Sequence, residues 1–176
     1  GQQTDISMNG FSVLDGETRY RFVRRGPDFW TGEYSLVAED GATTALPLPV
    51  DAEFEAVLDG YVIAKLNSAL DTPAGTEQPG ALLAWSLDDV QRGRDAAPFA
   101  VFRPGETQAV EQVAASENKL WVKVLDDVSG KLIELTPDAT GWTERAMDLP
   151  ANSTIQIVET SGAGDTAFVT VESMLT

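Results

Sequence analysis

Cysteine and histidine are both missing from this 176-residue chain. Without cysteine there are no disulfides, thiolate nucleophiles or zinc–thiolate sites. Without histidine as well, no Ser-His-Asp or Cys-His arrangement can be assembled from its own residues, however they meet in space. Positive charge is also scarce: 12 Lys and Arg stand against 28 Asp and Glu, a net charge of −16 at pH 7. Nucleic acid and anionic membranes both require a cationic surface, so neither is expected as a partner. Solubility accounts for the acidity. No apolar run approaches the roughly 20 residues that cross a bilayer, and the chain does not open on a basic, apolar, small-residue leader. The compartment expected on these grounds is the cytoplasm, with the periplasm as the alternative.

Apolar residues make up 43% of the chain, enough for one domain that buries roughly 70% of its unfolded surface. The clearest element is 119–135, KLWVKVLDDVSGKLIEL, in which two strand-like runs flank a turn cluster and predict a β-hairpin. Leu120, Val122 and Val124 face one way and Trp121, Lys123 and Leu125 the other, so both faces carry bulk, as in a strand sandwiched between layers. Upstream, turn signals at Asn9-Gly10 and Asp15-Gly16 end a first strand, and RYRFVRR (19–25) alternates with period two. A third run, Tyr34 to Ala38, stops at Asp40-Gly41, and a short, proline-limited fourth strand follows at 44–48.

The same order then recurs. Phe54, Ala56 and Leu58 alternate up to Asp59-Gly60, YVIAKL (61–66) is nearly all apolar, residues 67–80 form a long connection, and ALLAWSL (81–87) and 99–102 complete the unit. A helical turn is expected over 86–93, with acids near its start. The third unit opens on ETQAVEQVAASEN, where Val110, Val113 and Ala114 fit helical spacing, but the repeat predicts a strand over 109–114. The anchor hairpin and a strand over 142–149 follow. A fourth unit has strands at 154–160 and 166–172, joined by a turn at 161–165.

Four short strands recurring about every 40 to 55 residues are the pattern of β-propeller blades, each burying its two faces on its neighbours. The expected fold is all-β: a partial β-propeller of about four four-stranded antiparallel blades, at 1–49, 50–104, 105–150 and 151–176, the last incomplete. A β-sandwich is the competing architecture, but it calls for more regular inside/outside alternation than YVIAKL, KLWVKV and TAFVTV show.

Several motifs invite a chemical reading. Ser116 and Lys119 match S-x-x-K, the spacing of Ser–Lys nucleophiles on a helix, but this match enters a strand. Gly162 and Gly164 precede Asp165 as a G-x-G, yet a strand follows where phosphate binding needs a helix N-terminus. Asp88-Asp89 and Asp126-Asp127 lack calcium-loop spacing and read as solvated turns; two carboxylates at a suitable separation would suit a glycosidase. Arg24-Arg25 is an anion site or, as expected in so acidic a chain, a source of internal salt bridges. Trp30, Trp85, Trp121 and Trp142 offer a stacking surface for sugars or peptides, but three lie in strands, where packing between blades is expected. Asn152-Ser153-Thr154 is a glycosylation sequon, relevant only in a secreted protein. There is no G-x-S-x-G. No catalytic, cofactor-binding or metal-ligating residue is assigned, and no cofactor is expected.

The stretches DISMNGFSVLDG (5–16), RFVRRGPDFWTGEYSL (21–36), PGALLAWSLDD (79–89), KVLDDVSGKLIELTP (123–137) and TAFVTVESMLT (166–176) resemble the propeller of bacterial prolyl-oligopeptidase-type serine peptidases. In that family a seven-bladed propeller lies over an α/β-hydrolase domain carrying the Ser, Asp and His triad and screens out large folded substrates. The resemblance implies central or later blades of such a propeller, separate from the C-terminal hydrolase domain. Nothing here matches the triad segments. The 67–80 loop departs from the family by carrying Ala69-Leu70 where a Trp is expected soon after the strand.

The leading expectation is therefore a noncatalytic propeller segment that gates peptide access to a hydrolase domain outside this chain, the segment alone being inactive. One rival is a free-standing all-β module binding carbohydrate or protein; another is a carboxylate-dependent glycosidase. Open blade edges predict association with another copy.

Overall fold

The computed structural model describes residues 7–26, 32–116, 118–127, 129–138, 141–148, 153–158 and 168–173. The first sheet, blade 1, is built in chain order from β1 (Ser7–Asp15), β2 (Thr18–Gly26), β3 (Glu33–Val37) and β4 (Thr43–Ala45). Blade 2 takes β5 (Glu53–Leu58) and β6 (Tyr61–Lys65), then a separate small hairpin, β7 (Leu70–Thr72) and β8 (Gly75–Glu77), and then β9 (Leu82–Ser86), helix α1 (Leu87–Gln91) and β10 (Phe99–Phe102). Blade 3 is β11 (Gln108–Ala115), β12 (Leu120–Asp126), β13 (Ser129–Asp138) and β14 (Gly141–Asp148). A final antiparallel pair, β15 (Ser153–Val158) and β16 (Phe168–Ser173), opens a fourth sheet. All pairings are antiparallel, and each full blade runs in sequence order across its sheet. The chain is a partial β-propeller.

Local chemistry sets most boundaries. At the β5–β6 turn Asp59 and Gly60 both have positive φ, 54° and 78°, the left-handed pair that two-residue hairpins need. Pro47 and Pro49 follow β4 and keep it short, because proline has no amide to continue the ladder. The Ser86 side chain accepts the Asp89 amide at 3.2 Å and caps α1.

The middle blade is buried on both faces. Val62, Ala64, Leu83 and Trp85 pack toward Phe22 and Leu36 of blade 1. Ile63, Leu82 and Ala84, their neighbours along the same strands, pack toward Leu120, Val122 and Ile133 of blade 3. Six of these blade 2 residues, Val62, Ile63, Ala64, Leu82, Leu83 and Ala84, are fully inaccessible, as the nearly continuous apolar runs YVIAKL and ALLAWSL require. The first strands lie side by side, β5 between β1 and β11.

The structure corrects three expectations. Residues 67–80 are not simply a connection: they fold into the β7–β8 hairpin, pinned by a fork from Arg103 at the end of β10, whose Nε and Nη2 each donate to the buried Glu77 carboxylate at 2.8 Å. The run expected as a strand over 81–87 ends at Ser86, where the cap starts α1. Phe54 and Ala56, expected on one face of β5, belong to opposite cores, Phe54 beside blade 1 and Ala56 with Leu58 beside blade 3. A β-bulge between Phe54 and Ala56 inserts Glu55 and reverses the alternation.

The ambiguous opening of blade 3 is strand β11, with a second bulge between Val110 and Gln112. That bulge explains the helix-like signal. One extra residue in a period of two places Val110 and Val113, three apart, on the same buried side, opposite Val124 and Val122.

Candidate functional site

The bulge on β5 opens into a cleft of about 700 Å3 between blades 1 and 2. Its blade 1 side is formed by Arg24 of β2, Gly32 and Tyr34; its blade 2 side by residues 50–55, Lys65 and Asn67. Phe54 and Tyr34 give it an aromatic wall, their rings 5.2 Å apart and tilted by 33°. The wall continues into a cluster in which Phe11, Phe22 and Phe54 meet at 5.1 to 5.5 Å. A hydrogen bond from the Gly32 amide to the Val50 carbonyl, 2.8 Å, ties the two blades at the rim.

Of the three carboxylates in the cleft, two are satisfied. Asp51 accepts the Ser68 hydroxyl, while its backbone carbonyl accepts the Asn67 side-chain amide at 2.7 Å. Glu53 pairs with Lys65 at 2.8 Å. Glu55, half-buried, has no hydrogen bond or ion pair among the described residues. Its carboxyl is pushed up to about 7, chiefly by burial, with Lys65 opposing the shift and Glu53 adding to it. No motif marks Glu55 in the sequence. The signal available is the consecutive apolar triplet Ala56-Val57-Leu58 directly after an alternating stretch, a phase break that a bulge explains.

The residues singled out by motif do not converge. Ser116 is buried in the β11–β12 turn, where its hydroxyl accepts the Trp121 indole N–H at 3.2 Å and donates to the Lys119 carbonyl at 3.4 Å. The Lys119 ammonium points elsewhere, to Glu134 at 2.9 Å and over the Trp121 ring at 5.9 Å. Ser116 and Lys119 therefore share a turn but form no dyad. Asp88 and Asp89 sit in the first turn of α1 and pair separately, with Arg92 at 3.0 Å and Arg94 at 3.8 Å. Asp126 accepts the Thr107 hydroxyl at 2.7 Å and pairs with Lys131 at 3.2 Å; the Thr107, Lys131 and Gln108 hydrogen bonds hold its carboxyl below the usual range. Its neighbour Asp127 takes a positive φ of 55° in the turn.

Trp85 and Trp121 are buried, and Trp142 packs on the core between blades 2 and 3. Arg25 is exposed and makes no ion pair among the described residues, and Arg24 lines the cleft. Trp30, the Gly162/Gly164/Asp165 turn and Asn152 of the sequon lie outside the described residues. Among the described residues no group of three or more acidic side chains is placed to hold a metal ion, and no helix is long and apolar enough to cross a membrane.

No family model matches the chain. Over 99% of its length it is 28% identical to the uncharacterized peptidase y4nA of Sinorhizobium fredii, of which it covers 25%. Its fold matches a structure of a post-proline cleaving enzyme from Rickettsia typhi with a TM-score of 0.79 and 17% identity, over 95% of this chain and 25% of that one. The chain thus spans about a quarter of the length of each protein it matches. Both matches agree with the resemblance carried by the sequence stretches quoted above.

Proposed function

We propose that this partial β-propeller, similar to a segment of prolyl-oligopeptidase-type serine peptidases, is a noncatalytic part of such an enzyme that gates peptide access to a hydrolase domain outside the chain. One observation carries the reading: nearly the whole chain aligns with a quarter of a peptidase. Its composition supports the same division of labour, because a chain with no histidine and no cysteine lacks the bases and thiols of peptidase triads. Blades stacked face to face make a wall with narrow passages, which suits size selection better than chemistry. The natural partner on this reading is an α/β-hydrolase domain, with short peptides as indirect ligands.

The coding sequence beyond Thr176 provides the first test. Further blade strands and then a G-x-S-x-G hydrolase region support the gating role; a stop codon there would favour the free-standing binding module. The second test compares the whole enzyme with a version lacking these blades on short peptides and on a folded protein substrate. Gating predicts that the shortened enzyme gains cleavage of the large substrate, and an unchanged size limit would overturn it.

A further inference from the structure

We infer that the cleft between blades 1 and 2 is a binding site for a primary ammonium group carried on a peptide, with Glu55 as its counter-ion. Three observations carry this. Asp51 and Glu53 already have partners in Ser68 and Lys65, so among the described residues Glu55 is the cleft carboxylate without a hydrogen bond or ion pair. It stands on a bulge, a device that re-aims a side chain out of the regular alternation. Tyr34 and Phe54 line the same cleft with their rings 5.2 Å apart, and aromatic surface of this kind suits a desolvated cation and the apolar part of its carrier.

The other groups facing the cleft shape its selectivity. Lys65, held by Glu53 at 2.8 Å, and Arg24 on the blade 1 side add positive charge, whereas Asp51 and Glu53 add negative charge. With Glu55 ionised the side chains lining the cleft carry one net negative charge, which a single ammonium neutralises. A divalent metal is a poor fit, since hard cations need several oxygen ligands and one open carboxylate does not provide them. Equivalent placement alone does not create the site: Glu111 occupies the bulge of β11 in blade 3 but is exposed.

Because the free carboxyl titrates near neutrality, ammonium binding is stronger at pH 8 than at pH 5.5, where Glu55 is largely protonated. The choice of a peptide as carrier rests on the peptidase-linked reading above; the ammonium site does not. Two sources share this chemistry, a peptide amino terminus and a lysine side chain.

Calorimetry on the 176-residue chain with trialanine amide, N-acetyl-trialanine amide and N-acetyl-lysine methylamide separates them. Binding of trialanine amide or of the lysine probe at pH 8, absent for the acetylated trialanine and weakened at least about tenfold by Glu55→Gln but not by Glu111→Gln, is the expected result. Which of the two charged probes binds identifies the source. No binding of either at about 10 mM, or binding unaffected by Glu55→Gln, overturns the site. A second measurement does not depend on a variant: followed by carbon-13 NMR in the native sequence, the Glu55 titration midpoint falls by about one pH unit on saturation with the bound probe. An unmoved midpoint counts against the inference. The absence of a hydrolase region beyond Thr176 would remove the peptidase reading and leave a Glu55-dependent ammonium affinity standing, so the two failures are distinguishable.

Discussion

Burial at the β5 bulge couples the Glu55 proton to folding. The carboxyl titrates at 4.5 when free and at about 7 in the fold, so between these values the native state holds more protons than the unfolded one. Stability from this group is complete below pH 4.5 and is lost as pH rises through 7. Replacing Glu55 by Gln is expected to raise stability at pH 8 by roughly 1–3 kcal/mol, discounted for its partial exposure, and to leave stability at pH 4 nearly unchanged. Urea denaturation at the two pH values measures it. Glu77 has the opposite sign: the Arg103 hydrogen bonds hold its carboxyl below the usual range, so its contribution is present above the unfolded value and fades as pH falls. Arg103→Ala leaves that buried carboxylate without its fork and is expected to cost roughly 1–3 kcal/mol, with faster amide exchange in the β7–β8 hairpin than elsewhere. Ser116→Ala likewise strands the buried Trp121 indole N–H, at a cost of about 1–3 kcal/mol in urea denaturation.

At the level of elements, hairpin turns do more than reverse the chain. The Asp15 carboxylate at the end of β1 accepts the amides of Asp59 and Gly60, at 2.9 and 2.7 Å, in the equivalent turn of blade 2. Charge-assisted bonds of this kind join neighbouring blades through their tips. Asp15→Ala is expected to destabilise the chain by roughly 1–3 kcal/mol, with amide exchange rising first at Asp59 and Gly60. Strand positions were legible because Asp-Gly turns and period-two runs are local signals. Which face a residue takes was not always legible: Phe54 and Ala56 look equivalent in sequence, and one inserted residue, Glu55, sends them to different cores. The same effect made the Val110–Val113 spacing resemble a helix.

Over the whole molecule, stacking makes the blades interdependent. Blade 2 contributes to both cores, so Ile63→Ala, at roughly 2–4 kcal/mol, is expected to lower the protection of blades 2 and 3 together in hydrogen exchange, and protection lost in blade 3 alone would contradict shared burial. Among the described residues no strand of the β15–β16 sheet pairs with blade 1, and the blade 1 face turned away from blade 2 is polar as well as apolar, with Arg19, Arg21 and Ser12 exposed beside Leu14. Light scattering at tens of micromolar tests the proposed association; a strictly monomeric chain would count against open edges that recruit another copy.

Composition alone settled the exclusion of histidine and cysteine chemistry, because absent side chains cannot be supplied by folding. The turn residues and period-two runs also determined the all-β class, which follows from interactions a few residues apart, and strands apolar on both sides marked sheets that must be covered on both faces. The cleft, the open carboxyl of Glu55 and the Glu77–Arg103 clamp were decided only in three dimensions. Each depends on burial and partners supplied by segments tens of residues away, and on a bulge that shifts register without changing composition.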